Sequence, residues 1–317
     1  MTVNELRPAS KPTFYFVGVT TARSSIMKVF PKWAAHLGLG DVAIAGIDCK
    51  VHDAPEDYRR VVSFLKGDRL SLGGLVTTHK MDLLEAARDR FEYLDPYAEL
   101  LGEISSISKR DGRLRGHAKD PITSGLSLEA FVPEPWWRET GGELCILGAG
   151  GSSLALTCFL MKQKRAGERP SRIVVTNRSP KRLEHMRKVH AGINPGIRME
   201  YVLAGTAEAN DAVVGALKPN SLVVNATGLG KDAEGSPLSD AVRFPEGALV
   251  WEYNYRGKLV FLEQAKAQEK ARSLRIEDGW VYFIHGWTRV IAEVFGIDIP
   301  ASGPEFDRLC RIAAECR

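Results

Sequence analysis

The sequence predicts an α/β protein of two layered β/α halves, and three observations carry that prediction. Short apolar, β-branched runs alternate with amphipathic segments over 13–77, and the alternation resumes over 143–253. Between the two series, the Pro- and Trp-rich stretch 132–137 reads as a connector, because Pro133 and Pro135 forbid a continuing helix. The second series opens on Leu144-Cys145-Ile146-Leu147-Gly148-Ala149-Gly150-Gly151-Ser152-Ser153-Leu154-Ala155, a buried strand followed by a glycine turn and a helix start.

In chain order, a polar leader gives way to an aromatic strand over 13–17 that ends at Gly18. A hydroxyl-rich turn, 19–25, precedes an apolar-periodic helix over 26–37, and one of its serines is expected to cap that helix. A strand over 41–47, a helix over 58–65 and a strand over 72–77 complete a layer expected to hold a parallel sheet, and the last strand runs into Thr78-His79-Lys80. Helical pattern covers 81–91, and segments 104–108 and 113–116 flank Asp111-Gly112, a hairpin-turn dipeptide. Residues 117–121 close the first half, and 122–131 form the helix crossing to the second. There the glycine turn leads a helix to about Lys164, then a strand over 172–176, a helix over 181–189 and strands over 198–203, 221–225 and 248–253. That order is a doubly wound, nucleotide-binding sheet. Segments 258–274, 279–295 and 304–315 are expected to be helical.

At 317 residues the chain can bury a substantial core, and 44% apolar with 26% charged residues is an ordinary globular balance. A net charge of +4 without a block of consecutive Lys or Arg disfavours nucleic acid as a partner. Cys49, Cys145, Cys158, Cys310 and Cys316 are odd in number and lack metal-ligand spacing, so reduced, structural thiols and no metal are expected. Residues 1–12 hold no apolar run of signal-peptide length and no segment approaches the roughly 18 apolar residues of a membrane span. The expectation is a cytoplasmic monomer or homodimer that acts on a small molecule.

The chemistry begins at the glycine turn. Gly148 permits a tight turn, and Gly150 and Gly151 keep the backbone of Gly148-Ala149-Gly150-Gly151-Ser152 bare enough for a diphosphate to approach the amides and the positive helix end. Ser153 stands where the usual fingerprint has its last glycine, so a plain strand–helix joint is the competing explanation. The next strand ends Asn177-Arg178-Ser179-Pro180-Lys181-Arg182. An NAD site would place an acid here, whereas Arg178 beside Ser179, with Arg182 nearby, suits a 2′-phosphate, so NADP is expected in preference to NAD. An exposed basic helix start is the alternative, but the helix dipole disfavours positive charge at that end unless an anion is bound.

Taken together, Gly148-Ala149-Gly150-Gly151, Asn177-Arg178-Ser179, Asn225-Ala226-Thr227-Gly228-Leu229-Gly230, Lys80 and Gly116-x-x-x-Asp120 resemble the shikimate dehydrogenase family, over about 15–297. The resemblance implies an N-terminal substrate domain (1–122 with 279–317), a Rossmann NADP domain (123–278), and C-terminal helices packing back on the substrate domain. It implies hydride transfer between the cofactor and an alicyclic carbon bearing a hydroxyl, with Lys80 and Asp120 as the catalytic pair and Asn225, Ala226, Thr227 and Gly228 at the cofactor. A lysine in a partly dry cleft can donate to a carbonyl oxygen as it becomes alkoxide-like, while the carboxylate holds the lysine and relays the proton. An ordinary surface ion pair is the bland alternative for two charges this far apart in sequence.

The substrate shell departs from the family pattern. Its Ser-x-Ser becomes Ser24-Ser25-Ile26, with Arg23 in place of a preceding histidine; Arg23 either binds a carboxylate bidentately or is simply solvated. The family's Asn-Val-Thr-x-Pro-x-Lys becomes Gly74-Leu75-Val76-Thr77-Thr78-His79-Lys80, with Lys80 retained, while Ser105 and Ala118 replace amides and the substrate-binding glutamine falls at Gly286. Tyr253 matches the tyrosine of Tyr-x-Pro, while Tyr255 replaces its proline. His79 reads first as a helix-start histidine, and Trp280, Tyr282 and Trp287 as core first and pocket wall second. A hydrogen-bonding shell that loses members discriminates against its old substrate. The expectation is therefore an NADP-dependent oxidoreductase of this family acting on a small cyclic, carboxylated substrate through Lys80 and Asp120, with Arg23, Ser24, Ser25, Thr77, Ser105 and Tyr253 around it. Authentic shikimate or quinate dehydrogenase activity is the alternative within the class, and a non-catalytic metabolite or nucleotide sensor the alternative outside it.

Overall fold

The structure is a computed structural model that describes residues 1–162, 169–193, 196–230 and 233–317. The chain folds as two compact units, Met1–Lys119 with Ile284–Arg317, and Asp120–Phe283. In the first, β1 (Thr13–Gly18), α1 (Ile26–His36), β2 (Ala43–Asp48), α2 (Pro55–Gly67), β3 (Ser71–Val76) and α3 (Lys80–Ala87) follow the predicted alternation. Next come β4 (Tyr93–Leu94), α4 (Pro96–Leu101), β5 (Ser106–Arg110) and β6 (Arg113–His117), and the sheet order is β2-β1-β3-β5-β6-β4.

The strands of the alternation, β2, β1 and β3, pair in parallel as expected, but the sheet as a whole is mixed. The cause is the Asp111-Gly112 hairpin: with φ of 50° and 72°, the two residues reverse the chain in a tight turn, which can only make an antiparallel pair. Strand β5 thus runs against β3 and β6 and begins where they end, bringing Val76, Ser105 and His117 to one edge. The expected serine cap is also absent: Ser25 holds the N-cap position of α1 in a helical conformation, without a side-chain capping bond. The short β4 and α4 had no reading in the sequence. A local hydrogen bond fixes them, since Asp95 Oδ1 accepts from Ala98 N–H at 2.7 Å.

The second unit comprises α5 (Asp120–Phe131), α6 (Trp136–Thr140), β7 (Leu144–Leu147), α7 (Gly151–Lys162), β8 (Arg172–Asn177), α8 (Pro180–Ala191), β9 (Arg198–Leu203), α9 (Ala207–Gly215), β10 (Leu222–Asn225), β11 (Leu249–Glu252), α10 (Val260–Lys266) and β12 (Arg275–Glu277). Its six strands are all parallel, in the order β12-β11-β10-β7-β8-β9. Numbered within the unit, that is the doubly wound order whose switch point lies between the first and fourth strands, here β7 and β10. Cys145, Leu147, Val174, Val223 and Val250 cover one face of the sheet and pack with Val214, Phe261 and Ala265 of the helices.

Several expected boundaries moved. The helix expected over 258–274 is only α10: the chain then turns, with Ser273 at φ 51°, so that β12 can pair with β11 from Leu249↔Arg275 onward. The connector contains the short helix α6, which starts just after Pro135. The end of the helix expected at Lys164 lies outside the described residues. Two final helices, α11 (Trp280–Phe295) and α12 (Pro304–Ala314), close the chain. Within the first unit, Trp287 packs edge-on to Phe16 at 4.9 Å between ring centres, and Trp33 of α1 donates its indole N–H to Leu309 O of α12 at 3.0 Å. The C-terminal helix therefore belongs to that unit's core, as the family resemblance implied.

Candidate active site

In the first unit the predicted site residues gather at the edge where β1, β3 and β6 end and β5 begins. Arg23 ends a 3-10 turn after β1, exposed and without an ion-pair partner among the described residues, and Ser24 and Ser25 follow it half-buried. Ile26 is fully buried, so the residue in the second serine's place serves the core instead. Thr77 leaves β3 with its N–H on Val17 O at 3.0 Å, and Lys80 opens α3 half-buried. His79 between them is buried: Nδ1 lies 3.0 Å from Tyr58 Oη, and burial lowers its pKa, so it is neutral at pH 7.

The segment carrying Asp120 is tied down from three directions. Ser105 Oγ accepts from Lys119 N–H at 2.8 Å, Asp95 Oδ1 accepts from Ala118 N–H at 3.1 Å, and Lys119 Nζ pairs with Glu293 of α11 at 2.7 Å. Ser105 is thus buried with its acceptor already engaged by the backbone, and Lys119 is drawn to Glu293. Asp120 follows as the first residue of α5 and of the second unit. Lys80 and Asp120 fall in different units, each at a sheet's edge or a helix start.

The glycine loop leaves its backbone open at the start of a helix. Gly148 has φ 106°, and a Cβ there would come within 3.0 Å of Ala226 O, so only glycine fits. A Cβ on Gly150 would meet nothing within 4 Å: the bare backbone faces open space, as a diphosphate cradle requires. Helix α7 starts at Gly151, and the first helical bond is Leu154 N–H to Gly150 O, so the amides of Gly151, Ser152 and Ser153 precede it. Ser153, the apparent flaw in the fingerprint, is buried and donates to Gly148 O at 2.7 Å, fastening the turn. Beyond β8, Asn177 Oδ1 accepts from Ser179 N–H at 2.8 Å, Ser179 caps α8, and Arg178 and Arg182 stand exposed with no ion-pair partner among the described residues. A free cationic pair at a helix N-terminus fits a phosphate.

A brace that the sequence did not reveal sits at the ends of β10 and β11. Glu252 is fully buried: Oε2 accepts from Asn225 Nδ2 at 2.5 Å, and Oε1 from Asn254 N–H and Nδ2 at 2.8 and 2.7 Å. Asn225 Oδ1 in turn accepts from Thr227 N–H and Oγ1, and Asn254 Nδ2 donates to Thr227 O, so the loop of Asn225, Ala226, Thr227 and Gly228 is held against β11. Among the described residues, no group of three or more His, Cys, Asp or Glu side chains is placed to hold a metal, and no helix is long and apolar enough to cross a membrane. All five cysteines are free, three of them buried.

No protein-family model matches the chain. Individual relatives do. It is 35% identical over 169 residues to the shikimate dehydrogenase (NADP(+)) of Symbiobacterium thermophilum, a match spanning about half of either chain (52% and 53%). With the shikimate dehydrogenase (NADP(+)) of Methylobacterium radiotolerans it shares 30% identity over 247 residues, 74% of this chain and 79% of that one. The chain belongs to the shikimate dehydrogenase family. Its fold also matches the crystal structure of Thermus thermophilus shikimate 5-dehydrogenase with NADP(H) and shikimate, at a TM-score of 0.68, 22% identity and 96% and 99% coverage. Of the two positions where the sequence was expected to depart from the family, Ala118 is fully buried with its N–H on Asp95 Oδ1, and Gly286 lies half-buried on α11 after the buried His285.

Proposed function

We propose that this chain is an NADP-dependent oxidoreductase that interconverts a secondary alcohol and a ketone on a small cyclic, carboxylated substrate. The observation that carries the cofactor is the open space in front of Gly150, together with unpaired Arg178 and Arg182 beyond the neighbouring strand. The 148–152 loop, the Arg178–Arg182 turn and the braced 225–228 loop would hold NADP(H), which would supply or accept the hydride when bound.

The chain's own residues supply the rest. In this proposal Lys80, at the N-terminus of α3, donates to the substrate oxygen as negative charge builds on it, and Asp120, at the start of α5, is the carboxylate that relays the proton. Ser24, Ser25, Thr77 and Ser105 offer hydroxyls; because no capping bond occupies Ser25, its hydroxyl is free to face a ligand. Arg23, unpaired, is the group suited to a carboxylate through two parallel N–H bonds. Tyr253 presents a phenol from the end of β11.

Steady-state kinetics with NADP(H) and a panel of shikimate, quinate and amino-shikimate analogues test this reading. Turnover is expected with at least one acid, and Lys80→Ala should lower kcat by about 10²–10⁴-fold while leaving NADPH binding intact. If the protein binds NADPH but turns over none of the panel, the enzyme assignment falls.

A further inference from the structure

Three residues, Thr77, Thr78 and His79, carry the chain from the end of β3 to Lys80 at the start of α3. Thr78 has φ 58°, and His79 N–H bonds back to Thr77 O at 2.5 Å. A bond of this span around a centre with positive φ is the strained form of the γ-turn. Among the described residues, His52, Thr78, Asp111, Asn220 and Ser273 are the non-glycine residues with positive φ, and of these Thr78 alone is branched at Cβ, which makes the conformation costly. Thr78 also stands where the family pattern has proline. A proline ring, which holds φ near about −65°, could not form this turn.

The turn is held from both sides. Thr77 N–H donates to Val17 O at 3.0 Å and so stays with the sheet. His79 is buried, with its Nδ1 3.0 Å from Tyr58 Oη of α2, and that same oxygen accepts from Asp53 N–H at 3.1 Å. Beyond the turn, His79 O accepts from Leu83 N–H at 2.9 Å and Lys80 O from Ile104 N–H at 3.3 Å. The helix start has no side-chain cap: His79 occupies the N-cap position without a capping bond. What places Lys80 is therefore the turn before it and the anchored ring of His79. Thr78 itself is exposed, so its strain serves no packing of its own side chain. Backbone strain that the surroundings maintain next to a reactive group points to a role in that group's placement.

We propose that Thr78 is a positioning residue for Lys80: its positive-φ turn, anchored through His79 on Tyr58, sets where the lysine amine stands. The proposal rests on the reading of Lys80 above for its kinetic test, but not for its spectroscopic one.

Because Thr78 is exposed, substitutions there act through the backbone. Thr78→Asn, the conservative variant, tolerates positive φ; it should keep kcat within about twofold and melt about 2–4 °C higher. Thr78→Pro cannot make the turn, and its kcat should fall about 10²-fold with KM and NADPH affinity unchanged. Tyr58→Phe keeps the ring and releases His79; its kcat should fall about 10-fold, and it carries the test should Thr78→Pro fail to fold. Lysines methylated with isotope-labelled formaldehyde give the second readout by NMR, with Lys80→Arg identifying the Lys80 signal. In Thr78→Pro and Tyr58→Phe that signal should move while those of distant lysines stay, and in Thr78→Asn it should remain in place. An unmoved Lys80 signal in folded Thr78→Pro and in Tyr58→Phe overturns the proposal, whatever the kinetics, and leaves the enzyme reading to its own test. A moved signal in a protein whose wild type turns over none of the acids supports the placement and removes the enzyme reading.

Discussion

Arg178 is the residue on which cofactor choice turns. It stands exposed and unpaired one position after the Asn177 that shapes its turn, so its charge is available to a 2′-phosphate. Arg178→Asp should reverse the preference from NADP to NAD in paired KM measurements, and an unchanged preference would refute this role. Two buried histidines make a separate prediction. His190, between Thr157 Oγ1 and Tyr201 Oη at 2.7 Å each, and His285, stacked on Phe306, are both pushed down to about 4 by burial. Unfolded histidine takes its proton near 6.5, so the unfolded chain binds protons that the folded one refuses. Stability is therefore full above that pH and lost as pH falls toward 4, by roughly 3 kcal/mol per histidine. Urea midpoints measured between pH 7 and pH 4 should show the decline, and His285→Phe should flatten it.

Among the elements, the strand ends of the parallel sheet share one device. β8 and β10 each finish on an Asn whose side-chain oxygen accepts the N–H two residues on, Ser179 in one case and Thr227 in the other. This explains in local terms why the chain reads Asn-x-Ser and Asn-x-Thr at these two places. The second loop also leans on Glu252, whose two oxygens serve Asn225 and Asn254. Glu252→Gln turns one of those oxygens into a donor facing a donor. Thermal melts should show a loss of about 1–3 kcal/mol, and the KM for NADPH should rise through the loosened 225–228 loop. A melt and KM matching wild type would show that the brace bears on neither.

At the level of the whole molecule, the last helix is structural. Phe306, Leu309, Ile312 and Ala313 of α12 are buried, and Trp33, itself fully buried, bonds to Leu309 O. Trp33→Phe should cost about 1–3 kcal/mol in denaturant unfolding, and a chain stopped before Pro304 should fail to fold its first unit, because Trp33 of α1 would lose its bond to Leu309 and face water. A truncated chain that melts cooperatively with native near-UV dichroism would show α12 to be dispensable.

The sequence alone determined five of the six strands of the parallel, doubly wound unit and the helices α5, α7 and α8, but not α6, α9 or β12. There, buried strands are continuous apolar runs, and each glycine or Asn turn is a local event that a few residues settle. It also marked Gly148, Gly150 and Arg178, because those residue types sit at strand ends and helix starts that periodicity locates, whereas Lys80 and Asp120 were marked by the family resemblance. What it left to the tertiary structure depends on partners distant in the chain. The reversal of β5 against β3, the shortening of the helix after Val260 so that β12 could reach β11, and the burial of Ile26 are set by pairing and packing rather than by propensity. Likewise Ser153, Glu252 and the stacked Tyr253 and Tyr282 take their meaning from atoms up to 29 residues away, Tyr282 being that far from Tyr253. A hydrogen bond or a ring stack is a relation between two positions, and only the folded chain brings both to the same place.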